Sequence, residues 1–238
     1  MLSNSIERAI IMAAGFGSRL NPATSNTPKP LVKVNGQRMI DSIVSALHDN
    51  EIYEIYVVVG YLKEQFYEWV KQYNGITIIE NPLFDKCNNI SSLYAARDHI
   101  ENAIIIDGDQ IISDSSIFDR NFNRSGYNCT WSEDETNEWL MTVENNVVIK
   151  CSRTGGSKGW QLFGISRWTK EDGKKLKRHL EVEFDKNKNH QIYWDDVALF
   201  CHLEDYKLGI YPMKDKSVIE IDSFEELCAI DSSYRNIK

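Results

Sequence analysis

Two aspartates separated by one glycine close an apolar run, AIIIDGD, over residues 103–109. A buried carboxylate without a partner is costly, so Asp107 and Asp109 at a strand end are expected to meet water or a cation. Near the start of the chain a second apolar run, IIMAA (10–14), opens into GFGSRL (15–20) and then PKP (28–30). Gly15 and Gly17 permit close approach of backbone to ligand, and successive amides can point at phosphate oxygens. Ala13 and Ala14 keep the strand end free of bulk, and Ser18 continues the loop. Arg19 brings a planar fork and Lys29 a point charge, a pair suited to neutralising a triphosphate. Pro22, Pro28 and Pro30 stiffen the connection that carries Lys29. The pattern is neither of two familiar phosphate loops. The Walker spacing G-x-x-x-x-G-K-[ST] does not occur, and Leu20 stands where a dinucleotide fingerprint has its third glycine. The glycines alone read equally well as a strand-to-helix turn with solvated charges.

These groups need elements to hold them. Short β-branched runs at 9–15, 54–61, 76–81 and 102–109 predict buried strands. Between them, amphipathic spacing predicts helices over 38–50, 63–73 and 90–100. The first carries Ile40, Ile43, Val44 and Leu47 on one face, and the second Phe66, Trp69 and Val70. Alternation of strand and helix over the first half predicts an α/β fold with a mostly parallel sheet, whose ligands bind beyond the carboxyl ends of the strands. From about 120 to 170 the sequence predicts antiparallel strands with polar turns such as Glu144-Asn145-Asn146, then a helix over 169–184 and closing strands at 207–213 and 217–223. No repeat or linker divides the chain. A single domain over 1–238 is expected, with a nucleotide-binding half to about 112 and a β-rich half from about 113 that would bind the acceptor.

Composition narrows the functions. The 238 residues are 42% hydrophobic and 26% charged, ordinary for a globular protein, and the net charge of −8 argues against nucleic-acid binding. Five scattered cysteines without metal spacing read as reduced thiols, and no apolar run is long enough to span a bilayer, so a cytoplasmic protein is expected. The five histidines are scattered, read as surface or satisfied core residues, and no Ser/His/Asp or Cys/His set stands out.

The full string from Gly15 to Pro30, G-x-G-S-R-L-x-P-x-T-x-x-x-P-K-P, resembles the signature of the sugar-phosphate and related nucleotidyltransferases. Further segments, VVVGYLKEQF (57–66), NNISSLYAA (88–96), DGDQ (107–110), TNEW (136–139), YWDD (193–196) and IEIDS (219–223), resemble one branch, the bacterial CTP:phosphocholine cytidylyltransferases. The resemblance spans nearly the whole chain. It implies a three-layer α/β/α sandwich, Rossmann-like, around a mixed, mostly parallel sheet. It implies small-molecule partners, CTP and phosphocholine, joined to CDP-choline with release of pyrophosphate. 2-Aminoethylphosphonate is the nearest alternative acceptor. A sugar-1-phosphate enzyme and a non-catalytic nucleotide-binding regulatory domain are weaker ones.

By the same resemblance Arg19 and Lys29 are catalytic, and Asp109 and Asp222 hold Mg²⁺, which takes few carboxylates and completes its shell with phosphate and water. Ala13, Ala14, Gly15, Gly17, Ser18, Gly60, Asn89, Ser92 and Asp107 would contact the nucleotide. Asn88 and Ser91 read equally well as helix-capping residues. Trp139 and Tyr193 would face the acceptor's cationic head, with Asp195 or Glu138 adding negative charge. Trp160 and Trp168 are expected to pack in the core or a hairpin. A cation before TNEW would hold the acceptor phosphate, yet WSEDE (131–135) is acidic, which leaves Arg153, Lys158 or Arg167 for that task.

Overall fold

A computed structural model describes residues 4–236. The expected strands form: β1 (Arg8–Ala13), β2 (Glu54–Val59), β3 (Ile76–Glu80) and β4 (Ala103–Asp107). β1 pairs in parallel with both β2 and β4, and β2 pairs in parallel with β3. After β4 come the short β5 (Gln110–Ile112), then β6 (Gly126–Ser132), β7 (Leu140–Glu144), β8 (Val147–Ser152) and β9 (Gly159–Trp168). β9 runs antiparallel to β4, so the two halves of the chain share one nine-stranded sheet in the order β8-β7-β9-β4-β1-β2-β3. β6 also pairs with β9 and, in parallel, with β10 (Gly209–Pro212), while β11 (Val218–Glu220) pairs with β5.

The helices pack on both faces of this sheet, as the period of two in the strands requires. Ile10 and Met12 of β1 join Ile105 of β4 in one core, together with Ile90 and Leu93 of α3 (Ile90–Ala95) and Leu176 and Leu180 of α4 (Lys170–Glu181). The alternate residues Ala9, Ile11, Ala13, Ile104 and Ile106 face the opposite core, with Ile43 and Leu47 of α1 (Met39–Asp49) and Phe66 and Trp69 of α2 (Glu64–Val70). Three layers result. Thr169 caps α4 by accepting from the Asp172 amide at 3.1 Å. Asn145 and Asn146, both at positive φ, form the two-residue turn between β7 and β8, which matches the twist of a hairpin.

Differences from expectation concentrate at element ends. α3 stops at Ala95 because the chain tightens into a shorter turn over Arg97–His99. The segment around YWDD gives no clear period in sequence. It forms α5 (Trp194–Asp196), which widens into a further helical turn over Val197–Cys201. α6 (Phe224–Ile230) follows β11, with Ser223 and Glu226 closing its first turn reciprocally. No helix among the described residues is long and apolar enough to cross a membrane.

Candidate active site

A cleft of about 730 Å³ opens at the carboxyl ends of β1 and β4. Gly17 sits in the left-handed region at φ 64°, and a Cβ there would come within 2.7 Å of Lys29 Cβ. Glycine therefore lets the loop fold over the lysine stem, and Thr24 Oγ1 fastens it by donating to the Gly17 carbonyl at 2.9 Å. The buried Lys29 ammonium donates to Asp109 Oδ2 at 2.8 Å and to Asp222 Oδ1 at 3.1 Å. Arg19, largely exposed, reaches the same Asp222 oxygen at 2.9 Å. Burial alone would lower the Lys29 pKa, but the two carboxylates outweigh it and hold the ammonium above its ordinary value.

Acids outnumber bases here. Asp107, Asp109, Glu138, Asp195, Glu220 and Asp222 line the cleft against Arg19 and Lys29. Burial pushes Glu220 up to about 8, with Asp109 adding repulsion, although Gln110 Nε2 donates to it at 2.7 Å. Asp107 is raised well above its usual range by burial and by Asp109, and Glu138 is raised by burial and Asp222. A site with this surplus of negative charge favours cations. Asp109 and Asp222, already converging on one ammonium, form an oxygen-only donor set of the kind a hard divalent ion takes.

At another part of the lining, Trp139 and Tyr193 meet edge to face with centroids 5.7 Å apart. The two aspartates of YWDD separate in role. Asp196 accepts from the Tyr193 amide at 2.9 Å and pairs with Arg153 at 2.6 Å, holding the first turn of α5. Asp195 is buried and lines the cleft, and the buried Tyr127 hydroxyl is the neighbouring group that favours its ionised form. Burial pushes its carboxyl up to about 8.

None of the three cations expected to hold the acceptor phosphate lines the cleft. Arg153 lies against Phe200 at 3.8 Å while bound to Asp196; Lys158 pairs with Glu133 at 3.0 Å; Arg167 is buried against Asn128 and Tyr211. Lys158 and Arg167 are held by partners elsewhere, whereas Arg153 also lies 5.9 Å over the ring of Trp139, at the edge of the cleft. The acidic WSEDE stretch is displaced likewise, with Trp131 edge-on against Trp160 at 5.1 Å where β6 and β9 pair. Trp168 is fully buried, as expected.

Asn89 and Ser92 line the cleft. Asn89 Oδ1 does not cap its own helix but accepts from the Trp194 amide at 2.9 Å, tying α3 to α5. Asn81 Nδ2 donates to both Ser91 Oγ (2.9 Å) and Ser92 Oγ (3.0 Å), while Ser91 donates to the Asn88 carbonyl at 2.8 Å. Ala13, Ala14, Gly15, Gly17, Ser18 and Asp107 all line the cleft, but Gly60 does not. A Cβ at Gly60 would lie 2.5 Å from the Phe84 ring, so this glycine serves aromatic packing. Sequence reasoning missed Phe16, Leu162, Gly164 and Glu220. Glu220 carries a usable signal, since it stands two residues from Asp222 within the segment expected as a closing strand, where period two would put both on one side; β11 itself ends at Glu220. Gly164 is unremarkable in sequence, yet a Cβ there would collide with the Asp107 carboxylate across β4 and β9.

The histidines are less scattered than they look. His179 and His202 stack face to face at 3.9 Å, outside the cleft lining, with Asp205 beside both. One ring nitrogen of each and an Asp205 oxygen lie within 4.8 Å of one another, a grouping that could hold a metal ion.

Comparison with known proteins agrees with this arrangement. Residues 9–164 match the MobA-like NTP transferase domain. The chain is 38% identical over 228 residues to a 2-aminoethylphosphonate cytidylyltransferase of Lancefieldella rimae, covering 95% of this chain and 92% of that one. It is 30% identical over 229 residues to a choline-phosphate cytidylyltransferase of Streptococcus pneumoniae, covering 96% and 99%. The solved CTP:phosphocholine cytidylyltransferase from Streptococcus pneumoniae superposes with a TM-score of 0.86 at 29% identity, covering 95% of this chain and 98% of that one.

Proposed function

The chain belongs to the MobA-like NTP transferase family and is a nucleotidyltransferase, and from that premise we propose that it transfers a cytidylyl group from CTP to a small phosphoryl or phosphonyl acceptor carrying a cationic amine. The observation that carries the acceptor is Asp195, a buried carboxylate in the cleft lining near the Trp139–Tyr193 pair. A primary ammonium can donate to a carboxylate as well as lie against aromatic rings, so 2-aminoethylphosphonate is the acceptor we favour. Phosphocholine is the second reading, because its trimethylammonium group has nothing to donate and is recognised through aromatic faces.

In this reading an acceptor oxygen attacks the α-phosphorus of CTP, and pyrophosphate leaves. The acceptor arrives ionised, so no side chain need act as nucleophile. The glycine loop places the triphosphate, and Lys29 and Arg19 neutralise charge that grows on it during transfer. Ser92, through its hydroxyl proton, and Asn89, through its Nδ2, would hydrogen-bond the nucleoside. Asp109 and Asp222 would hold Mg²⁺, which when bound supplies Lewis-acid stabilisation of the phosphates.

Steady-state pyrophosphate release with CTP and 2-aminoethylphosphonate, phosphocholine or phosphoethanolamine tests the proposal. The primary amines are expected to have the higher kcat/KM, and Asp195→Asn to cost them roughly tenfold or more. A wild-type preference for phosphocholine, lost in Trp139→Ala, would move the assignment to the second reading. Preference for a sugar 1-phosphate would remove both.

A further inference from the structure

Three aromatic side chains line the cleft, and two of them, Trp139 and Tyr193, pair with each other. The third, Phe16, stands apart at the tip of the glycine loop. Its ring is 44% exposed, although a phenylalanine normally gains most from burial. The exposure is not slack. Phe16 packs at 5.2 Å against Tyr61 and at 5.2 Å against Phe84. Both supports are themselves fixed. The Tyr61 amide donates to the Ala14 carbonyl at 3.0 Å, and its hydroxyl donates to the Thr24 and Ser25 carbonyls at 3.2 and 3.0 Å. Phe84 fills the space that the missing side chain of Gly60 leaves open.

A braced ring with a free face, in a cleft that takes a nucleotide, matches the one flat apolar part of that ligand. We propose that Phe16 is the stacking platform for the pyrimidine ring of the nucleotide, with Tyr61 and Phe84 as the backing that keeps it upright. The inference rests on the nucleotidyltransferase reading of the cleft. Stacking is indifferent to the pattern of donors and acceptors on the base edge, so Phe16 supplies affinity and orientation. Choice between cytosine and uracil falls to polar groups such as Asn89 and Ser92. A ring held in its binding position before the ligand arrives loses little freedom on binding, which is the use of the backing.

Equilibrium titration of CTP, UTP and pyrophosphate into wild type, Phe16→Ala and Phe16→Tyr tests this, with thermal melts confirming the fold. Phe16→Ala is expected to weaken CTP about tenfold or more, and UTP by the same factor, while pyrophosphate binding stays within twofold. Phe16→Tyr, which keeps a stacking face, should hold CTP near the wild-type value. Equal loss for CTP and pyrophosphate would make Phe16 a support for loop geometry and overturn the proposal, as would no loss for either. Failure of wild type to bind CTP at all would strike the cytidylyl reading itself, an outcome separate from these.

Discussion

Lys29 and Arg19 are both cations of the glycine loop, yet the structure predicts that removing them has different consequences. The Lys29 ammonium is buried, 2.8 Å from Asp109 and 3.1 Å from Asp222. Removing one partner of a fully buried ion pair costs about 3–5 kcal/mol. The carboxylates here are 34% and 36% exposed, so water takes over part of their solvation and about 1–3 kcal/mol is the fitting range for Lys29→Ala. Arg19 is 72% exposed on the same Asp222, and its loss should cost about 0–1 kcal/mol of stability. In turnover the two should look alike, since both are assigned to charge that develops on the phosphates. Loss of one such stabilising group costs about 2.7–4 kcal/mol, or roughly a hundred- to a thousandfold in kcat. Denaturant titration and pyrophosphate release on the same samples separate the effects. Arg19→Ala should unfold almost as wild type does and yet turn over slowly, while Lys29→Ala should lose in both. Normal turnover per folded molecule in either variant would refute the catalytic assignment and leave that cation a structural one.

Asp109→Asn, nearly isosteric, should keep the melting temperature within a few degrees while turnover falls by orders of magnitude; near-normal activity would remove the metal assignment. Asp195, pushed up to about 8 by burial, is largely protonated at neutral pH in the free protein. Its ionised form is the one that binds an ammonium, so KM for 2-aminoethylphosphonate should fall as pH rises from 6.5 to 8.5 (values bracketing that pKa) and should flatten in Asp195→Asn. Burial, and then the neighbouring His202, hold the His179 pKa below its usual value. The folded state therefore binds fewer protons there than the unfolded chain. Its contribution to stability is present above about pH 6.5 and is lost as pH falls below that. Denaturant midpoints should drop less steeply toward pH 5.5 (one unit below) in His179→Gln, and an identical slope in the two proteins would rule the histidine out.

Much of this was legible in the sequence because local rules and tertiary packing agree. The alternation in AIIIDGD places Ile104 and Ile106 on one face and Ile105 on the other, and the sheet buries both faces as parallel strands require. The glycine loop and Lys29 could be named from their residue types and spacing, Asp109 and Asp222 from the family resemblance, and all of them line the cleft. What sequence reasoning missed depends on distant partners. Asp195 and Asp196 are adjacent and chemically identical. The resemblance already pointed to Asp195, and the hydrogen bonds of Asp196 to the Tyr193 amide and to Arg153 show why its neighbour is the structural acid. Arg153 itself looked available until Phe200 and Asp196 claimed it. Gly60 belongs to a matching segment, but the ring of Phe84 determines its use.

The central claim is that this cleft joins CTP to a cationic acceptor through a bond from an acceptor oxygen to the α-phosphorus. Phosphorus NMR and mass spectrometry of a reaction with 2-aminoethylphosphonate labelled with ¹⁸O on its phosphonyl group test it in one measurement. The account predicts a cytidylylated product that keeps all of the acceptor's label, together with unlabelled pyrophosphate. Label appearing in pyrophosphate, or CTP consumed without an acceptor adduct, would contradict it.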